Sequence, residues 1–157
     1  MKKIPINEIK AESAKKAIKM AHEKFGKTIS VNGCNGSSDL GQLTSVAANM
    51  VRDNVPNAFV RCPYALYPEV EGPGNVLLYD DYQIVIDGCR ERCVAKTLKK
   101  AGVKVDLSYA MDEDFGLVKH PQPTKFKEED LQNVVNKIVD DVKELKAKEK
   151  FFEIEAN

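Results

Sequence analysis

The chain of 157 residues contains no apolar run long enough to cross a bilayer, and the opening Met-Lys-Lys-Ile-Pro is not followed by the apolar stretch of a secretory leader. A cytoplasmic location is the expectation. Net charge is also missing: 24 basic and 24 acidic side chains cancel, so nothing favours a nucleic-acid or polyanion partner. The phosphate-binding motifs are absent. There is no G-x-G-x-x-G and no glycine-rich loop ending in Lys-Ser or Lys-Thr. A cysteine phosphatase needs arginine six positions after its nucleophile, and the two candidate positions hold Leu40 and Ala95. Histidine is scarce. His22 flanks the apolar face of a helix and His120 precedes Pro121 in a loop, so a Cys-His nucleophile pair has no supporting context.

What is present reads as one α/β domain. Ala14, Ala17, Ile18, Ala21 and Phe25 repeat at helical spacing, which predicts a first helix over about 7–25. Strands are expected over 28–31, 58–61, 82–86 and 103–107. Helices are expected after Ser37-Ser38-Asp39, directly after Asp87-Gly88-Cys89, and over about 128–148. The stretch 64–79, broken by Pro68, Gly72, Pro73 and Gly74, predicts a loop with at most one helical turn. Strands alternating with helices imply a three-layer α/β/α fold with a small, mostly parallel sheet, Rossmann-like or flavodoxin-like. A cysteine-bearing core over about 28–125 would lie between the N-terminal helix and a C-terminal helix over about 127–150.

The four cysteines, Cys34, Cys62, Cys89 and Cys93, carry the chemistry. The first three each close a short apolar β-like run. In a parallel sheet the carboxyl ends of the strands share one edge, where ligands bind, so distant thiols can meet there. In a reducing compartment a disulfide framework is not expected, which raises metal or redox duty over structural bridging. If the third helix starts near Cys89, Cys89 and Cys93 share its face at i and i+4, and its positive end favours their thiolates. Four thiolates suit Zn2+, with an iron–sulfur cluster as the soft-ligand competitor. The bland alternative is four small buried hydrophobes. Three of only four arginines, Arg61, Arg90 and Arg92, adjoin these cysteines. They would offset the negative cluster, receive an anionic partner, or simply be solvated. Asp87 is expected to cap the helix that follows it.

Asp87-Gly88-Cys89-Arg90-Glu91-Arg92-Cys93 with Ile84 to Ile86 before it, Cys34-Asn35-Gly36-Ser37-Ser38 with Gly41-Gln42-Leu43, and Arg61-Cys62 together resemble the DGC-domain family, named for its Asp-Gly-Cys motif. The resemblance spans about residues 28–125. It implies a zinc-binding protein whose four metal-chelating cysteines map to Cys34, Cys62, Cys89 and Cys93. It supplies no reaction. The glycine-rich segment that relatives carry after the second block reads Tyr64-Ala65-Leu66-Tyr67-Pro68 here, a departure from the pattern. The expected function is therefore a structural or metal/thiol-handling role, with an unidentified protein, small thiol or anion as partner. A thiol-redox or sulfur-transfer enzyme using Cys89 and Cys93 is the first alternative, and a nucleotide- or flavin-binding module the second.

Overall fold

Two of the strands, Ile29–Gly33 and Tyr82–Asp87, are short and buried along their whole length, as parallel packing between helical layers requires. The computed structural model describes residues 1–121 and 124–155, with side chains through residue 148. β1 (Ile29–Gly33), β2 (Ala58–Val60), β3 (Tyr82–Asp87) and β4 (Leu107–Ala110) form one parallel sheet in the order β2-β1-β3-β4. Ile29 lies opposite both Ala58 and Tyr82, and Ile84 opposite Leu107. The chain starts at β1, steps outward to β2, then crosses back over β1 to β3. The direction of winding therefore reverses between β1 and β3, which opens a crevice beyond their carboxyl ends.

Alternate strand residues serve the two faces. Ile29, Val31, Ile84 and Ile86 pack against α2 (Asp39–Asn54) and α6 (Glu128–Glu155), which contribute Leu43, Ala47, Val51, Leu131, Val134 and Ile138. On the opposite face Val85 meets Leu77 of α3 (Glu71–Tyr79) and Val94 and Leu98 of α4 (Cys93–Lys100). Outside that layer α1 (Glu12–Phe25) packs Ala14 and Ile18 against Val76 and Tyr79. A single turn, α5 (Met111–Asp114), follows β4. No described helix is long and apolar enough to cross a membrane.

Four expectations need correction. Helix α1 begins at Glu12, after a 3-10 turn at Ile6–Glu8. The stretch 64–79 is mostly ordered as a 3-10 turn, Pro63–Leu66, and the nine-residue α3. Pro73 falls in the first turn of α3, where its missing N–H costs nothing, so the proline that suggested a loop marks a helix start. The last strand is Leu107–Ala110, because Val103 and Val105 pack into the α4 layer instead. Finally, α4 starts at Cys93 and not near Cys89.

Candidate metal-binding edge

Cys34 leaves β1 at the crevice. Its N–H is held twice, by the Ile86 carbonyl of β3 at 3.0 Å and by Thr44 Oγ1 at 3.0 Å, and Thr44 in turn donates to the Gly41 carbonyl. Asn35 then takes a positive φ of 53° and turns the chain toward α2, which Ser38 caps by accepting from the Gly41 N–H. The loops after β1 and β3 touch backbone to backbone. A Cβ at Gly41 would lie 2.5 to 2.7 Å from three backbone atoms of Gly36, and one at Gly88 would lie 2.9 Å from the Gly41 nitrogen. Glycine at these positions brings the two cysteine loops together.

Beyond β3, Asp87 is buried and both its carboxylate oxygens are engaged: Oδ1 accepts from Val94 N–H at 2.8 Å and Oδ2 from Ala95 N–H at 3.1 Å. It therefore caps α4 as expected. Burial raises its pKa, against the lowering effect of these two bonds and of Arg92 and Lys96. The chain between Asp87 and α4 is a turn closed by Arg92 N–H to Cys89 carbonyl, with Arg92 at a left-handed φ of 49°. Cys89 consequently lies before the helix and does not share a helical face with Cys93. The helix N-terminus also fails to dominate the Cys93 thiol. Partial desolvation, then the neighbouring Cys34, Asp87 and Cys89, push it above the ordinary range, with only Lys96 opposing among the leading causes.

Cys34 and Cys89 thus both act on Cys93 across the crevice, and Tyr64 joins them. Its hydroxyl donates to the Cys34 carbonyl at 2.7 Å, and desolvation together with Cys34, Cys93 and Asp87 raises its pKa to about 12. Tyr64 is therefore a phenol, a donor and not an anion, at neutral pH. Cys62 stands apart. It lies two residues beyond β2, is exposed, and lines a cavity of about 560 Å³ with Ser13, Ala17, Gly72 and Val76 of α1 and α3. All four cysteines are free thiols. Among the described residues no three histidine, cysteine, aspartate or glutamate side chains already form a group that could hold an ion. Three soft donors at one edge are chemically suited to zinc, but the shell is not preassembled, and Cys62 would have to turn away from its cavity to complete it.

The arginines are paired with carboxylates. Arg61 makes a two-pronged pair with the buried Asp80, at 2.6 and 2.9 Å, tying β2 to the end of α3. Arg90 meets Asp112, and Arg92 meets Glu113 and Asp114. The cation that does reach a thiol is Lys119, whose Nζ lies 3.5 Å from Cys89 Sγ. His22 bonds the Ile18 carbonyl of α1 and pairs with Asp81 just before β3. His120 pairs with Asp39 at the start of α2. At the starts of α2 and α4 several backbone N–H groups are already used: Asp39 N–H by the His120 carbonyl, Leu40 N–H by Asp39, Gly41 N–H by Ser38, and those of Val94 and Ala95 by Asp87. A nucleotide or flavin phosphate bound at these helix starts would have to displace a carboxylate or a cap.

Asp39 offers a pH test of this architecture. Burial opposes its ionisation, but bonds from the His120 N–H, the His120 ring and the Leu40 N–H outweigh that and hold its pKa below the usual value. An aspartate with a lowered folded pKa contributes stability above its unfolded pKa, about 3.9, and loses it as pH falls through the folded value. Metal-free wild type should exceed Asp39→Asn by about 1–2 kcal/mol at pH 6. The gap should close below about pH 4, as read from urea midpoints. A gap that persists unchanged at pH 3 contradicts this.

Tyr64, Lys119 and Asp39 carry no motif that assigns them to a thiol site. Only the position of Tyr64, two residues after Cys62, hinted at its place. The family model for the DGC domain matches residues 30–138. No curated protein and no solved structure matches the chain.

Proposed function

Because the chain belongs to the DGC-domain family, we propose that it is a zinc-binding α/β domain in which Cys34, Cys89 and Cys93 hold one Zn2+ and Cys62 closes the shell from the end of β2. The observation that supports this reading is that the free thiols of Cys34 and Cys89, on two separate loops at the β1/β3 crevice, both act electrostatically on Cys93. The Cys62 segment is already docked there, since Tyr64 of the same turn bonds the Cys34 carbonyl. Four thiolates would leave no position for water, which argues for a structural ion or for handing the ion or a bound thiol to a partner, and against hydrolysis.

Metal analysis of protein purified without added metal tests the proposal, with about one zinc per chain expected. Thiols should become reactive only after chelation. A brown preparation containing iron would favour an iron–sulfur cluster, and protein free of either metal after zinc addition would refute the reading. Cobalt substitution distinguishes the ligand sets: Cys62→Ser should lower the sulfur-to-cobalt charge-transfer band by about a quarter if four sulfurs bind, as the four-thiolate shell predicts. An unchanged band would restrict the protein ligands to three and leave one position open.

One contact favours the thiol-redox alternative, the Lys119 ammonium beside Cys89. That reading requires a Cys89–Cys93 disulfide, two mass units lighter than the dithiol, to form reversibly in metal-free protein. If both thiols stay free at the redox poise of glutathione, it fails.

A further inference from the structure

The segment from Phe115 to Pro121 has no regular structure, yet it is fastened at both ends. Phe115 and Leu117 pack against the large core beside α6, and Leu117 N–H bonds the Met111 carbonyl. At the other end His120 is bound to Asp39 three times: His120 N–H to Asp39 Oδ1 at 2.8 Å, His120 Nδ1 to Asp39 Oδ2 at 2.9 Å, and Asp39 N–H back to the His120 carbonyl at 3.2 Å. The Asp39 side chain is 4% exposed, so this clasp sits in a partly desolvated site where such bonds are hard to replace with water. Running from the β4 end to the start of α2, the strap passes the β3 loop, and Lys119, immediately before the clasp, places Nζ 3.5 Å from Cys89 Sγ. Lys119 has no carboxylate partner among the ion pairs of the described residues.

We propose that Lys119 is a positioning residue of the thiol cluster, held against Cys89 by the Asp39–His120 clasp, and that its ammonium sets how tightly an ion is retained at this edge. The inference rests on the zinc reading above. Four thiolates around a divalent ion carry a net charge near −2, and a donor N–H on a ligating sulfur with a positive charge behind it stabilises that assembly. The arginines nearby are neutralised by Asp112, Glu113 and Asp114, so their charge is already balanced locally.

The test is zinc affinity measured by competition with a chromophoric chelator, on full-length protein, beside the thermal midpoint of each metal-free variant. Lys119→Gln should bind zinc about tenfold more weakly, the lower end of the loss expected when an outer partner of a ligand is removed. Its metal-free midpoint should be unchanged, because the side chain is exposed. Lys119→Arg should recover affinity to within about threefold, and the Gln penalty should shrink in 0.5 M salt because an exposed charge is screened. Asp39→Asn, which frees the strap but keeps the lysine, should weaken zinc in the same direction. Equal affinity in wild type and Lys119→Gln overturns the proposal while leaving the zinc site standing. A loss that arginine does not rescue overturns it as well. A wild type that takes up no zinc removes the zinc reading itself and this inference with it.

Discussion

Cys34→Ser should reduce zinc content after dialysis from about one per chain to near zero. A structural zinc site is worth about 10–16 kcal/mol, so one thiolate of four accounts for roughly 3 kcal/mol, or about a hundredfold in affinity. Cys34 should be at the upper end of that range for a structural reason. Its backbone is fixed by the Ile86 carbonyl, the Thr44 hydroxyl and the Tyr64 hydroxyl, so its sulfur is presented from a well-anchored loop. Thermal stability of the zinc-loaded form should fall with zinc content, because the ion would tie the β1 loop to the β3 loop. Metal-free wild type and metal-free Cys34→Ser should melt nearly together. A variant that keeps a full zinc ion would remove Cys34 from the ligand set.

Gly41→Ala should be the most damaging substitution outside the cysteines. In an exposed helix alanine is favoured over glycine by up to about 1 kcal/mol, so helix propensity predicts a gain. Here the added methyl would lie 2.5 Å from the Gly36 carbonyl oxygen and 2.6 and 2.7 Å from two more of its backbone atoms. Backbone cannot rotate away as a side chain can. Either the Cys34 loop or the first turn of α2 must shift, at a cost of about 3 kcal/mol, the upper end for overpacking. That shift would also separate the Cys34 loop from Gly88, so zinc affinity should fall along with the denaturation midpoint. A stabilised Gly41→Ala protein with unaltered zinc binding would show that the loops are not held together by this contact.

Much of the scaffold was legible because burial on both faces leaves a plain mark. The run Tyr82 to Ile86 is continuously apolar except for Gln83, and it became the central strand β3. Ser38 before Asp39 marked a real helix start. The misreadings share a cause: local pattern was outvoted by tertiary contact. Pro73 and two glycines hid α3, whose Leu77 is buried against the sheet face. Val103 and Val105 looked like a strand but cover α4, and pairing with β3 begins only at Leu107. The C-x3-C spacing suggested one helical face, whereas Asp87 caps α4 from a distance of seven residues and leaves Cys89 in the turn.

The site was half legible for the same reason. Strand ends locate Cys34 and Cys89 at the crevice without any knowledge of side-chain direction. They do not locate Cys62, which follows the edge strand β2 and lines a cavity with residues of α1 and α3. Nor can spacing reveal contacts such as Lys119 with Cys89, 30 residues apart, or His120 with Asp39, 81 residues apart. For the arginines, sequence proximity to the cysteines left charge compensation, an anionic partner and plain solvation open, and the structure pairs each with a carboxylate from another element.

Zinc-edge X-ray absorption on the natively purified protein tests the shared ion most directly, because it counts sulfur neighbours without assuming which residues supply them. Four sulfurs at about 2.3 Å, falling to three in Cys62→Ser, are the predicted result. A shell of nitrogen and oxygen holding two sulfurs or fewer would contradict a site assembled from the loops after β1, β2 and β3.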